Sequence, residues 1–206
     1  MLPVKRLAAV AGLVVLGLAP SGAARAAAPS AQDTQFLQSI HRVNLSEVSA
    51  GKLAQQKGAN QQVKDLGKRF STDHAKLDQT VQSTASSVGV TLPDRPSADQ
   101  QAVLNHLKGL DNTAFDTQWI SVQLIAHQQA IDVTETEISQ GSDPTVKQVA
   151  QNALPMLQDH YRALVAAART LGVPIPETPS PQIPSPSGTA PSPSGTTTEV
   201  PTPAIS

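Results

Sequence analysis

The sequence predicts an all-α fold, a four-helix bundle assembled from two copies of one helical hairpin. Two nearly identical words, DTQFL at residues 33–37 and DTQWI at residues 116–120, stand 83 residues apart. Other landmarks keep the same offset: Val63-Lys64 recurs as Val146-Lys147, Leu66-Gly67 as Val149-Ala150, and SVGVTLP from Ser87 as TLGVPIP from Thr170. A common offset across several landmarks marks an internal repeat. Within each copy, apolar residues recur at three- and four-residue spacing, the period of a buried helical stripe. One amphipathic hairpin cannot bury its own stripe, whereas two can bury theirs against each other.

The first helix is expected over residues 33–57, with Phe36, Ile40, Val43, Ala50 and Ala54 inward and a turn at Gly58, Ala59 and Asn60. The second, over 61–88, carries Val63, Leu66, Phe70, Leu77, Val81 and Val88 and stops at Gly89. Ile120, Leu124, Ile131 and Ile138 define the next long helix, over 113–139. Gly141, Ser142 and Asp143 then lead into Pro144, a residue suited to a first helical position. The last helix runs from there to Leu171, with Val146, Ala150, Ala153, Leu157 and Leu164 inward and Pro155 expected to kink it. The 24 residues from Gly89 to Asn112 are too many for a simple turn and include a short helical stretch, SADQQAVLNHLKGL. A link of that length can travel the bundle, roughly 40 Å for helices of this size. That is the ferritin-like connection.

The two ends differ from this domain. Lys5 and Arg6 precede an apolar run from Leu7 to Ala19 and then SGAARAAAPS, the order of a secretory signal peptide, with cleavage expected after Ala26. The run is shorter than the roughly 20 residues that span a bilayer. No Cys follows it for lipid attachment. Residues 27–32 read as a linker and 33–173 as the bundle. From Pro174 onward the chain holds 10 of its 17 prolines amid Ser, Thr and Gly. Such a segment cannot offset its ordering entropy by burial and is expected to be an extended, disordered tail, a wall spacer or carrier of O-linked sugars, or simply a solvated end.

Residues 1–26 contain Lys5, Arg6 and Arg25, so the expected mature chain keeps 12 basic against 16 acidic side chains, a formal charge of −4. With one Trp, one Tyr and three Phe, it lacks the basic patch and stacking aromatics of a nucleic-acid binder. Absence of Cys removes disulfides, thiolate sites and iron-sulfur clusters together. No G-x-S-x-G, H-E-x-x-H or Gly-rich phosphate loop occurs.

Each inward stripe is interrupted by one ionisable residue: Glu47, His74, His127 and His160, one per long helix and all near the helix midpoints. Three imidazoles and a carboxylate suit zinc, copper, iron or manganese. Equally, buried His and Glu can hydrogen-bond one another and fix helix register. The positions 83 residues away are Ala130, Leu157, Asn44 and Leu77, so the set is not a duplicated symmetric site. His41 and His106 fall off the stripes and are expected in solvent. Asp73 and Asp159 precede two of the histidines and point about 100° away, as solvated edge charges or outer partners of the imidazoles.

The stretches FLQSIHRVNLSEVSAGKLAQQKG, VKDLGKRFSTDHAKL and FDTQWISVQLIAHQQAI, with the LPMLQDH run, resemble an exported bacterial family, "domain of unknown function 4142", often labelled outer membrane proteins. The resemblance covers residues 33–173. It implies a ferritin-like bundle whose biochemical role is not established. No strand alternation of barrel length supports the membrane label. Di-iron ferritin-like proteins carry Glu-x-x-His on two helices, but Ser71 and Leu157 stand three residues before His74 and His160. Ferroxidase chemistry is therefore disfavoured. The leading functional expectation is a non-enzymatic module of the cell envelope, secreted or periplasmic, acting through envelope proteins or the wall. Its alternative is a mononuclear metal-binding or redox protein.

Overall fold

The computed structural model describes residues 28–176. The expected signal peptide, and the tail beyond residue 176, lie outside them. Five helices follow in order: α1 Ala31–Lys57, α2 Gln61–Val88, α3 Ala98–Lys108, α4 Asn112–Gln140 and α5 Pro144–Leu171. The all-α bundle predicted by periodicity is present. α1 starts two residues ahead of the expected boundary because Ser30 and Asp33 form a capping box, each side chain bonding the other's backbone N–H. Ser97 and Gln100 do the same for α3. Pro144 opens α5 with Asp143 as its cap, and the helix continues through Pro155.

α1 packs beside α2 and α4, and α5 closes the ring by packing beside α2 and α4. Gly58, at the end of α1, pairs with Asn112, at the start of α4. α4 thus starts at the end of the bundle where α1 finishes, so the crossover carrying α3 spans the bundle's length. α3 lies over the seam of α1 and α4 and buries Leu104 and Leu107 there.

The repeat survives in the caps. Gly89 and Gly172 both end their helices in the left-handed region (φ 76° and 67°), where only glycine avoids a Cβ penalty. Each is followed by a valine N–H bonded 2.8 Å to a carbonyl five residues back, Val90 to Ala85 and Val173 to Ala168. The repeated aspartates also act alike. Asp33 accepts from Ser142 N, Ser142 Oγ and Asp143 N at 2.7–3.1 Å, in the α4–α5 turn. Asp116 accepts from Ala59 N and Asn60 N at 3.0 and 2.7 Å, in the α1–α2 turn.

Two apolar clusters fill the core. One gathers Phe70, Phe115, Trp119, Leu124 and Leu164 toward the end holding the α1–α2 turn. The other gathers Phe36, Ile40, Val81, Ile131 and Leu157 toward the opposite end. Between them lies a buried polar layer. Helix α1 buries the expected Phe36, Ile40, Glu47, Ala50 and Ala54, but the face is broader than the expected stripe: Asn44 is buried beside them and Val43 is only half-buried. His41 is on that face too, and the expectation of a solvated His41 is corrected. It is 6% exposed, with Nδ1 2.6 Å from Asp78 Oδ1 and Nε2 3.0 Å from Pro93 O of the crossover. His106 is exposed as expected.

Candidate metal centre

His74 on α2, His127 on α4 and His160 on α5 are all buried at mid-bundle. Their ring centroids form a triangle with three equal sides of 5.5 Å. One nitrogen from each ring belongs to a set of atoms lying within 4.8 Å of one another. Phe70 walls the group, stacked on His160 at 4.2 Å and tilted over His127 at 4.9 Å.

The other nitrogen of each ring is committed to an acceptor. His74 Nδ1 donates to Asn44 Oδ1 at 2.9 Å. His127 Nδ1 donates to the Gln123 carbonyl, one turn back on α4, at 3.0 Å. His160 Nε2 donates to Asp73 Oδ2 at 3.0 Å. These partners, which set the tautomers, leave His74 Nε2, His127 Nε2 and His160 Nδ1 as bare lone pairs facing inward. His74 Nε2 has no protein partner. His127 Nε2 and His160 Nδ1 are 3.4 Å apart, a poor hydrogen bond. It is the separation of two nitrogens bound about 2.05 Å from one ion with tetrahedral angles, about 3.3 Å.

Protons do not compete for these lone pairs at neutral pH. Burial drives the His74 imidazole well below its usual range, and the neighbouring His127 and His160 push the same way. Burial and His160 bring His127 down to about 3. Burial lowers His160 too, against the opposing pull of Asp73.

The fourth expected residue stands apart. Glu47 is buried on α1 but is not among the converging ligand atoms. Asn44 takes the α1 position facing the histidines, and three residues further on the helix has turned about 60° short of a full turn. Glu47 therefore points to the seam of α1 with α4. Burial pushes its carboxyl up to about 8, with Gln123 opposing. Yet no formed hydrogen bond reaches Glu47 Oε2 or either atom of the Gln123 amide. Outside the triangle, Asp73 also faces Arg69 Nε at 3.7 Å. Asp159 is held by Arg69 and Arg162 at the surface, and those two arginines, Arg69 foremost, lower its carboxyl. Sequence reasoning missed Asn44 and Gln123. Both are polar residues on buried faces, and Asn44 is the repeat partner of His127, which is a signal that was available.

A family model described as Domain of unknown function (DUF4142) matches residues 18–167. The chain belongs to the DUF4142 family. No curated protein matches this DUF4142 chain. Among solved structures it is similar to a DUF305 protein of Streptomyces coelicolor described as a putative secreted protein. The TM-score is 0.62 at 11% identity, covering 72% of this chain and 98% of that one. A DUF305 fragment from Deinococcus radiodurans gives 0.62 at 14% identity, covering 71% and 99%. At these identities the likeness speaks for the helical-bundle fold alone. No helix among the described residues of the DUF4142 chain is long and apolar enough to cross a membrane.

Proposed function

We propose that this DUF4142 protein is an exported metal-binding module that holds one transition-metal ion on His74, His127 and His160. The observation that carries this is the set of three bare nitrogens, each on a ring whose other nitrogen is anchored by Asn44, Gln123 or Asp73. Anchoring the far nitrogen is how proteins orient a ligating histidine and raise its basicity. A donor set of three neutral imidazoles favours zinc or copper over manganese, which prefers oxygen. Glu47 is left out of the ligand set. The signal-like N-terminus and the Pro/Ser/Thr-rich tail support export and a spacer role in the envelope, and the crossover spanning the bundle supports the ferritin-like reading.

The test is a titration of metal-stripped protein with zinc(II) and copper(II), followed by calorimetry and thermal melting. One ion should bind per chain and raise the melting midpoint, because a ligand of the folded state alone stabilises it by mass action. His127→Ala should abolish both effects. If neither ion binds, the cluster is a hydrogen-bonded polar core. His127→Ala would then cost about 1–3 kcal/mol with or without metal.

A further inference from the structure

A chain of hydrogen bonds joins the crossover to the histidine triangle. It starts at the Pro93 carbonyl, 3.0 Å from His41 Nε2. A carbonyl only accepts, so this ring nitrogen carries a hydrogen. His41 Nδ1 is 2.6 Å from Asp78 Oδ1, and Gln82 Nε2 donates to Asp78 Oδ2 at 2.5 Å. Asn44 Nδ2 reaches Asp78 Oδ1 at 3.5 Å, and Asn44 Oδ1 accepts from His74 Nδ1 at 2.9 Å. Asp78 and Asn44 are 7% and 0% exposed, so these groups answer to one another rather than to solvent.

The amide of Asn44 is the link at which direction is decided. An asparagine side chain has a donor end and an acceptor end of nearly the same shape, and its surroundings determine which way it points. Turned over, Asn44 would set its oxygen against Asp78 Oδ1, two acceptors face to face in a buried site. Its NH2 would then meet His74 Nδ1, which would have to be the bare nitrogen. Burial keeps His74 neutral, so its one hydrogen would move to Nε2 and point inward, toward the converging nitrogens of His127 and His160. The metal-free core would gain by that change, because His74 Nε2 is otherwise buried without a partner. The arrangement present forgoes the gain. What holds it is the acceptor oxygen of Asp78 on the far side of Asn44.

We propose that Asp78, braced by His41, is a positioning residue that fixes the tautomer of His74 through the Asn44 amide and so keeps His74 Nε2 free to bind a metal ion. The role toward metal rests on the metal-binding function proposed above, whereas the tautomer is a property of the metal-free chain. Which nitrogen of a histidine can bind a metal is set by the hydrogen bond that the other one makes. Here that control starts two residues further back, on the seam of α1 and α2, and it ties a ligand nitrogen to the loop that carries Pro93.

The experiment is proton–nitrogen NMR of metal-stripped protein labelled with heavy nitrogen at histidine, beside calorimetric titration with zinc(II). In the wild type His74 should carry its hydrogen on Nδ1. Asp78→Asn keeps the shape but can turn either end toward Asn44, so a clear share of His74 should pass to the Nε2–H form. Zinc affinity should fall by the reciprocal of the Nδ1–H fraction that remains, about twofold at an even split, since only that form is competent to bind. The double variant Asn44→Asp with Asp78→Asn moves the carboxylate one step along the chain, where it can only accept from His74. It should restore the Nδ1–H form and at least the wild-type affinity. A melting midpoint lowered by Asp78→Asn with no change of tautomer would make Asp78 merely structural and overturns the proposal. So does an Nε2–H form of His74 in the wild type, or a folded double variant that fails to restore Nδ1–H. Tautomers that shift as stated in a chain that binds no zinc would support the positioning role and overturn the metal-binding function alone.

Discussion

Asp33 fastens the α4–α5 turn and Asp116 fastens the α1–α2 turn, so each hairpin carries the residue that closes the other. Asp33 is fully buried and takes hydrogen bonds from Ser30, Ser142 and Asp143. Burial alone would raise its carboxyl, but these bonds outweigh burial and hold it well below the usual carboxylate range. Asp33→Ala and Asp116→Ala should each destabilise the domain by about 1–3 kcal/mol, through turn N–H groups left unpaired. Urea unfolding measures it. The Asp33 contribution is present at neutral pH and is lost only as pH falls below about 4 toward its depressed folded value.

The close approach of α1 and α2 rests on Gly51 and Gly67. A Cβ on Gly51 would lie 2.4 Å from the Gly67 carbonyl oxygen, and one on Gly67 would lie 2.5 Å from the Ala54 Cβ. Mid-helix Gly→Ala ordinarily stabilises by about 1 kcal/mol. Here the backbones themselves would have to part. Gly51→Ala and Gly67→Ala should instead lower stability by about 1–3 kcal/mol, the usual penalty of overpacking. A raised melting midpoint in either variant would contradict this packing.

The hairpins, their boundaries and the mid-bundle histidines were legible because apolar periodicity and a fixed repeat offset report on burial directly. Less legible was the rotation of each helix about its own axis. A bundle helix buries about three positions per heptad, so Val43 and Asn44 were nearly equivalent choices, and the structure buries Asn44. On that broader face Asn44, not Glu47, meets the histidines, and His41 lies in the interior against Asp78 and Pro93. Crossover contacts such as His41 to Pro93 O are invisible to periodicity, because they join a helix to a loop 52 residues away.

Opposed titrations should give the metal-free protein a stability maximum near pH 6.5. His74, His127 and His160 have lowered folded values, so the unfolded chain binds more protons just below 6.5 and stability rises with pH up to there. Glu47 and Glu137, raised chiefly by burial to about 8 and about 7, bind protons more tightly when folded. Their effect has the opposite sign, with stability falling as pH rises from about 4.5 to those values. Above 6.5 the unfolded histidines progressively lose the protons that made stability rise, and the falling contributions take over. Melting midpoints across pH 5–9 with chelator present should show the maximum. Glu47→Gln should flatten the decline between pH 7 and 8.

Asp73 and Asn44 anchor two of the imidazoles in different ways, and substituting them should separate metal affinity from stability. The Asp73 side chain is partly exposed, and asparagine in its place still accepts from His160 Nε2 while losing the negative charge. Asp73→Asn should therefore leave the melting midpoint of metal-free protein nearly unchanged. It should lower zinc affinity by about 10- to 100-fold, the usual effect of altering a group behind a ligating histidine. Asn44 is fully buried, so Asn44→Leu strands His74 Nδ1 without an acceptor. That variant should lose about 1–3 kcal/mol even without metal, besides binding zinc more weakly. Calorimetric titration beside thermal melting reads both quantities. Equal zinc affinity in wild type and Asp73→Asn would mean that Asp73 does not act on the metal through His160, and would leave the contact as a hydrogen bond that only orients the ring.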